Sequence, residues 1–255
     1  APTDNDLGNG MPERCDMWRN AHDELIMQSL DTSVIENTKI IITRYTHEKS
    51  GSSIELIYSI YGNGILKIKQ TLYPSGAENP ELPRFGMKVS VNETFDNLEW
   101  FGRGPHESYW DRKTSAKIDR YEGKVIEQTY KYVRPQETGN KTDIRWLALY
   151  NGSIGLMVKG LPVFDGSVHH YDYALLDYYK GRQLHGEIDI TKGNQIDLIV
   201  DYKQMGVGGD NSWGAKPHSK YILPMDTTVY NLEYAIIPFN KKSELDALSR
   251  INIDN

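Results

Sequence analysis

Short runs of alternating apolar and polar residues, separated by turn-forming residues, fill the chain from Val34 almost to its end. A period of two marks a strand with one covered face. It predicts strands over Lys39–Thr46, Ser53–Tyr61, Leu66–Tyr73, Phe85–Val91, Asn97–Phe101 and Ile144–Tyr150, then over Ile154–Val158, Gly166–His170, Leu184–Ile190, Gln195–Tyr202, Tyr221–Leu223 and Val229–Pro238. Before them, Trp18, His22, Leu25, Ile26 and Leu30 recur at helical offsets behind Pro12, which predicts one amphipathic helix over Glu13–Leu30. Ala174–Lys180 and Ser243–Arg250 have room for a helical turn or two. Gly62-Asn63-Gly64 and Asn151-Gly152 are hairpin signals that suit the right-handed twist of paired strands, so neighbouring strands should be antiparallel.

Many strands with little helix imply an all-β, many-stranded antiparallel architecture of sheets packed on sheets, with one short N-terminal helix. No repeat of 20–50 residues emerges, which argues against a propeller or solenoid. The Pro-rich stretch Tyr73–Pro83 is short enough to be a loop, so a single unit spanning residues 1–255 is expected. Residues 1–12, rich in Asp, Asn and Gly, should form a mobile loop, and residues 239–255 a C-terminal tail.

The net charge of −6 argues against a nucleic-acid surface, which advertises a basic face. No apolar run approaches the roughly 18 residues of a membrane helix, and no leader pattern opens the chain. No membrane partner is therefore expected, and cytoplasm or periplasm stays open. The start at Ala1 rather than Met suggests a processed product or a piece of something longer. Cys15 has no partner for an intramolecular disulfide, and nothing around it supports a catalytic thiol.

Chemistry concentrates in three places. Gln204–Gly214 leaves the strand at Gln195–Tyr202 and combines several glycines with Trp213. Glycine lets the backbone turn or come close to another group, and an indole on such a turn offers a flat apolar face with one N–H donor, which suits a sugar ring. Trp213 is read either as that platform or as a core aromatic capping the sandwich. A dinucleotide site is rejected, because Asn211 stands where the fingerprint's third glycine belongs and Pro217 where its helix should run.

The second place, Trp100–Arg112, holds Glu107 and Asp111, which could be a carboxylate pair or part of a salt-bridged loop with Arg103 and Arg112. The third is Tyr132–Asn140, whose Arg134 and Glu137 could bind a polar ligand or pair with each other. His169, His170 and His218 lack zinc-ligand spacing, so no metal site is expected, and Ser212 lacks the context of a nucleophile.

Taken in order, Ala1-Pro2-Thr3-Asp4-Asn5-Asp6 with Gly8, Trp100-Phe101-Gly102-Arg103-Gly104-Pro105 with Glu107, Tyr109, Asp111 and Arg112, and Tyr132–Asn140 resemble one family, and so do Ser167-Val168-His169 and Met205–Gly214. It is the C-terminal β domain, or small-chain domain, of the large bacterial β-galactosidases. The resemblance runs to about Pro238 and implies a supersandwich like that of the galactose mutarotases. It places the catalytic glutamates and magnesium ligands, with a monovalent cation site, on a barrel domain or large subunit absent from this sequence. No catalytic residue and no cofactor are then expected in this chain. Its contribution to hydrolysis of terminal β-galactosides such as lactose would be Trp213 as platform, with Gly8 at the start of a mobile loop and Asp210 and Asn211 beside the sugar. Past Gly8, Asn9-Gly10-Met11-Pro12 departs from the family pattern. The parent enzyme is expected to be a homo-oligomer. The alternative is a freestanding carbohydrate-binding or mutarotase-like protein, which would need its own acid and base, with His169 or His170 and a glutamate as candidates.

Overall fold

A computed structural model describes residues 1–152, 154–176, 191–211 and 213–253. It opens with two short helices, α1 (Asp4–Gly8) and α2 (Met11–Arg14). Eleven strands follow among the described residues: β1 (Leu25–Ile35), β2 (Thr38–His47), β3 (Ser53–Tyr61), β4 (Leu66–Tyr73), β5 (Arg84–Asn92), β6 (Asn97–Gly104), β7 (Lys117–Lys124), β8 (Lys141–Asn151), β9 (Ile154–His169), β10 (Gln195–Gln204) and β11 (Tyr230–Phe239). A last helix, α3, spans Leu245–Leu248. No helix among the described residues is long and apolar enough to cross a membrane.

The strands run in the order β1-β2-β3-β4-β11-β9-β8-β6-β7, all antiparallel, and β5-β10 joins through β9. The first half of β9 pairs with β11 from Gly155 to Gly160, and its second half pairs with β10 from Asp165 to His169. One strand thus belongs to two layers. Between them lies the main core, with Leu147, Val158 and Tyr234 from the large layer and Val91, Leu198 and Val168 from the small one. The Tyr234 hydroxyl reaches across to Met87 Sδ at 3.2 Å.

Period-two alternation decides which core each side chain joins. In β11, Leu232 and Tyr234 face the main core while Ala235 and Ile237 face a second cluster on the opposite side, and Leu147 and Ala148 of β8 divide in the same way. Leu245 and Ile253 close that second cluster, so the chain beyond β11 packs onto the sheet as far as Ile253. Tyr61 donates to the Ile253 carbonyl at 3.0 Å and Lys159 to that of Ile251 at 2.6 Å.

The helix expected over Glu13–Leu30 is corrected. That stretch forms α2, two 3₁₀ turns and the start of β1. Pairing with β2 overrides the helical spacing, and a register shift between Met27 and Ser29 scrambles the alternation of β1. Ile154–Val158 and Gly166–His170, read as separate strands, are the two ends of β9. Tyr221–Leu223 makes a single bridge, Leu82 to Leu223, instead of a strand, and β7 went unanticipated. The expected Leu184–Ile190 strand and the end of the Ala174–Lys180 turn lie outside the described residues; Tyr173–Leu176 is a 3₁₀ turn. At the hairpins, Gly64 and Gly152 take φ of 85° and 58°, where a side chain would be strained.

Leu198 is fully buried between the layers, whereas Leu30 on the edge strand is 56% exposed. Leu198→Ala should therefore cost about 2–5 kcal/mol, and Leu30→Ala should stay within about 0.5 kcal/mol. Equilibrium urea unfolding of the two variants checks this difference.

Candidate functional site

β10 delivers the chain into the turn that carries Trp213. Met205 is buried; its amide donates to the Pro83 carbonyl at 2.9 Å and that of Gly206 to the Tyr221 carbonyl at 2.8 Å. Further on, Asn211 Oδ1 accepts from the amides of Trp213 (2.9 Å) and Ala215 (3.3 Å), an Asx turn that folds the tip back on itself. Asp210 pairs with His218 at 2.7 Å. Trp213 stands on this tip with 90% of its surface exposed, which excludes the core-cap reading.

The segment expected as a loop supplies the support. Thr3 caps α1 with a reciprocal box: its hydroxyl accepts from the Asp6 amide (3.1 Å), and Asp6 Oδ2 accepts from the Thr3 amide (2.8 Å). Asn5 Nδ2 donates to the Ala215 carbonyl at 3.0 Å, tying α1 to the Trp213 turn. Gly8 faces Gly214 directly, and a β-carbon added to Gly8 would lie 3.1 Å from Gly214 Cα. Gly214 itself has φ of 97°, which favours glycine there for a second reason. Gly8 lies outside the left-handed region, which Gly10 occupies at φ 70°, so main-chain approach is what requires glycine at position 8.

The two motif loops meet around the same support. Glu107 accepts from Arg112 (2.7 Å), Tyr132 (2.6 Å), Thr138 (3.1 Å) and the Gly139 amide (2.8 Å). A carboxylate engaged by four donors is a structural hub rather than a free acid or base. Arg134 donates to Asp4 Oδ1 at 3.0 Å, and Gln136 Nε2 to Asp4 Oδ2 at 3.2 Å, so the second loop holds α1. The structure therefore gathers Gly8, Asp210, Asn211 and Trp213 into one surface feature. Asn5 went unassigned in the sequence, although it stands within the Ala1–Asp6 motif.

The family described as β-galactosidase small chain matches residues 1–236. The chain belongs to the β-galactosidase small-chain family. It is 42% identical over 224 residues to a β-galactosidase of Priestia megaterium, which covers 88% of this chain and 21% of that protein. A β-galactosidase of Vibrio cholerae is 30% identical over 244 residues, covering 91% of this chain and 23% of that protein. The chain spans about a fifth of the length of these curated relatives. Among solved structures, galactose 1-epimerase from Lactobacillus acidophilus is similar with a TM-score of 0.46 at 7% identity, over 84% of this chain and 66% of that one.

Groups that would let the chain act as a freestanding acid–base catalyst are otherwise engaged. His169 is fully buried, with Nε2 3.0 Å from the Ser167 hydroxyl and Nδ1 3.0 Å from that of Tyr171. Burial holds its pKa down at about 3, too low for proton transfer near neutrality. His170 is tied to Asp96 at 2.7 Å. Burial, with Glu81 nearby, pushes the Cys15 thiol up to about 12, which disfavours the reactive thiolate. Among the described residues no three His, Cys, Asp or Glu side chains are grouped to hold a metal ion. Ser212 lies outside the described residues.

His169 has a consequence for acid stability. Its folded pKa lies below the ordinary 6.5, so unfolding takes up a proton at intermediate pH, and stability is lost as pH falls from about 6.5 toward 3. His169→Gln should flatten that part of the stability curve, measured by urea unfolding at a series of pH values; an unchanged slope would place the acid sensitivity elsewhere.

Proposed function

We propose that this chain completes the active site of a β-galactosidase whose catalytic carboxylates stand on another domain or subunit. The observation that carries this reading is Trp213: a 90% exposed indole on a turn locked by hydrogen bonds and by main-chain contact with Gly8. A large apolar face is left in water at a place where the backbone is fixed, which suits a binding platform.

A galactoside offers C–H groups on one face and hydroxyls around its rim. The indole would take the face and its N–H could donate to a hydroxyl, while Asp210 and Asn211 would provide a polar border. Asn211 Oδ1 already holds the turn, and its amide nitrogen would donate to the ligand. Gly8 sets how close α1 comes to the platform. The substrate class is terminal β-galactosides such as lactose.

Bond cleavage by paired carboxylates needs two such groups about 5–10 Å apart. Glu107 is committed to four donors and Asp111 to the Gly208 amide (2.9 Å), so the pair belongs to the partner, an upstream catalytic barrel or a large subunit. Magnesium and a monovalent cation would be held by those other parts of the enzyme, itself a homo-oligomer. The role of this chain is to orient the sugar and hold it against those groups.

Two outcomes are expected. The isolated chain should fold but not turn over a chromogenic β-galactoside; turnover abolished by Glu107→Gln would overturn the division of labour. In the complete enzyme, Trp213→Ala should weaken a galactoside inhibitor by about 1–3 kcal/mol, with partial recovery in Trp213→Phe. Inhibition constants and melting temperatures measured together decide it, since a large thermal loss with unchanged binding would contradict a platform.

A further inference from the structure

We propose that Asp111 is a positioning residue for the sugar platform, holding the approach to Trp213 through the Gly208 amide. This rests on the platform reading of Trp213. Asp111 occupies the tip of a tight turn closed by two backbone hydrogen bonds between Tyr109 and Arg112, at 3.0 and 2.8 Å. Its flanks are fixed. Trp110 packs edge-on against Tyr221 with ring centroids 5.7 Å apart, and the Arg112 guanidinium lies 5.0 Å from the centre of the Tyr109 ring while pairing with Glu107.

From this rigid tip, Asp111 Oδ2 accepts from the Gly208 amide at 2.9 Å, five residues before Trp213. In the same segment, the Gly206 amide donates to the Tyr221 carbonyl at 2.8 Å. The strand exit is thus held by both Asp111 and Tyr221. A β-carbon at Gly206 would lie 2.8 Å from Asp111 Oδ2 and 3.0 Å from Tyr221 Cβ, so a side chain there would push the carboxylate aside.

Gly214, on the far side of Trp213, abuts Gly8. The indole is therefore carried on a turn clamped at both ends, by Asp111 before it and by α1 after it. An ionised acceptor makes the first clamp firm, because hydrogen bonds to charged groups are the stronger kind. Asp111 touches no sugar in this scheme; it acts by restricting where the indole can stand.

The test is a double-mutant cycle in the complete enzyme, with the galactoside inhibition constant, KM and kcat as readouts. Asp111→Ala should weaken inhibitor binding by about fivefold to tenfold, the loss of one charge-assisted hydrogen bond spread over a turn. Asp111→Asn, which keeps an oxygen acceptor for the amide, should recover most of that. Asp111→Ala combined with Trp213→Ala should bind no worse than Trp213→Ala alone, because a positioning residue has nothing left to position.

If Trp213→Ala leaves binding unchanged, the platform reading itself fails. If Trp213→Ala weakens binding and Asp111→Ala does not, or if the two losses multiply in the double variant, the positioning role is overturned while the platform stands. Should Asp111→Ala fail to fold, Asp111→Asn against Asp111→Leu gives the same comparison.

Discussion

The bend of β9 from one layer into the other is the constraint on which the rest of the structure depends. Its first half lies between β11 and β8 in the large sheet, and its second half carries the small layer by pairing with β10. Both pairings bury apolar faces in one core, so neither layer can shift without the other. β10 then leaves the sheet at Gln204 and runs directly into the turn that presents Trp213. The position of the exposed indole is therefore inherited, strand by strand, from the most buried part of the molecule.

Around that turn, polar residues serve mainly as scaffolding. Glu107, Asp111, Asp4 and Asn5 each hold backbone or side chains of neighbouring segments, and together they join α1, the two motif loops and the Trp213 turn. A chain that lends a binding surface to a partner's chemistry needs this kind of organisation. Glu107, Asp111 and Asp4 are committed to fixing geometry, and the Trp213 indole on the turn they help hold is 90% exposed.

The β architecture was legible because β4, β10 and β11 alternate over most of their length and β2 and β3 are rich in β-branched and aromatic residues between turn signals. Where the reading failed, a competing physical signal explains it. Trp18, Leu25 and Leu30 fit a helical period, and only pairing with β2, shifted near Met27, makes a strand of Leu25–Ile35. Lys117–Lys124 carries Asp119, Arg120 and Glu122, so an edge strand with little apolar pattern gave no sign of itself. Gly160-Leu161-Pro162 looks like a break in β9, which pairs with β11 before it and with β10 after it while β8 runs alongside both halves. At the site, the glycines around Trp213 announced a turn. That Gly8 answers Gly214, and Asp111 answers Gly208, follows from contacts between residues more than ninety positions apart, which no local pattern encodes.

The central claim is that this chain lends a sugar platform to an active site completed elsewhere, and that Trp213 is that platform. Fluorine NMR of the complete enzyme carrying fluorotryptophan, titrated with a galactoside inhibitor, tests it most directly. The Trp213 resonance, assigned by its loss in Trp213→Phe, should shift with the inhibitor's own affinity, while those of the other four tryptophans of this chain stay in place. Saturation of the inhibitor with an unmoved Trp213 resonance would contradict the account.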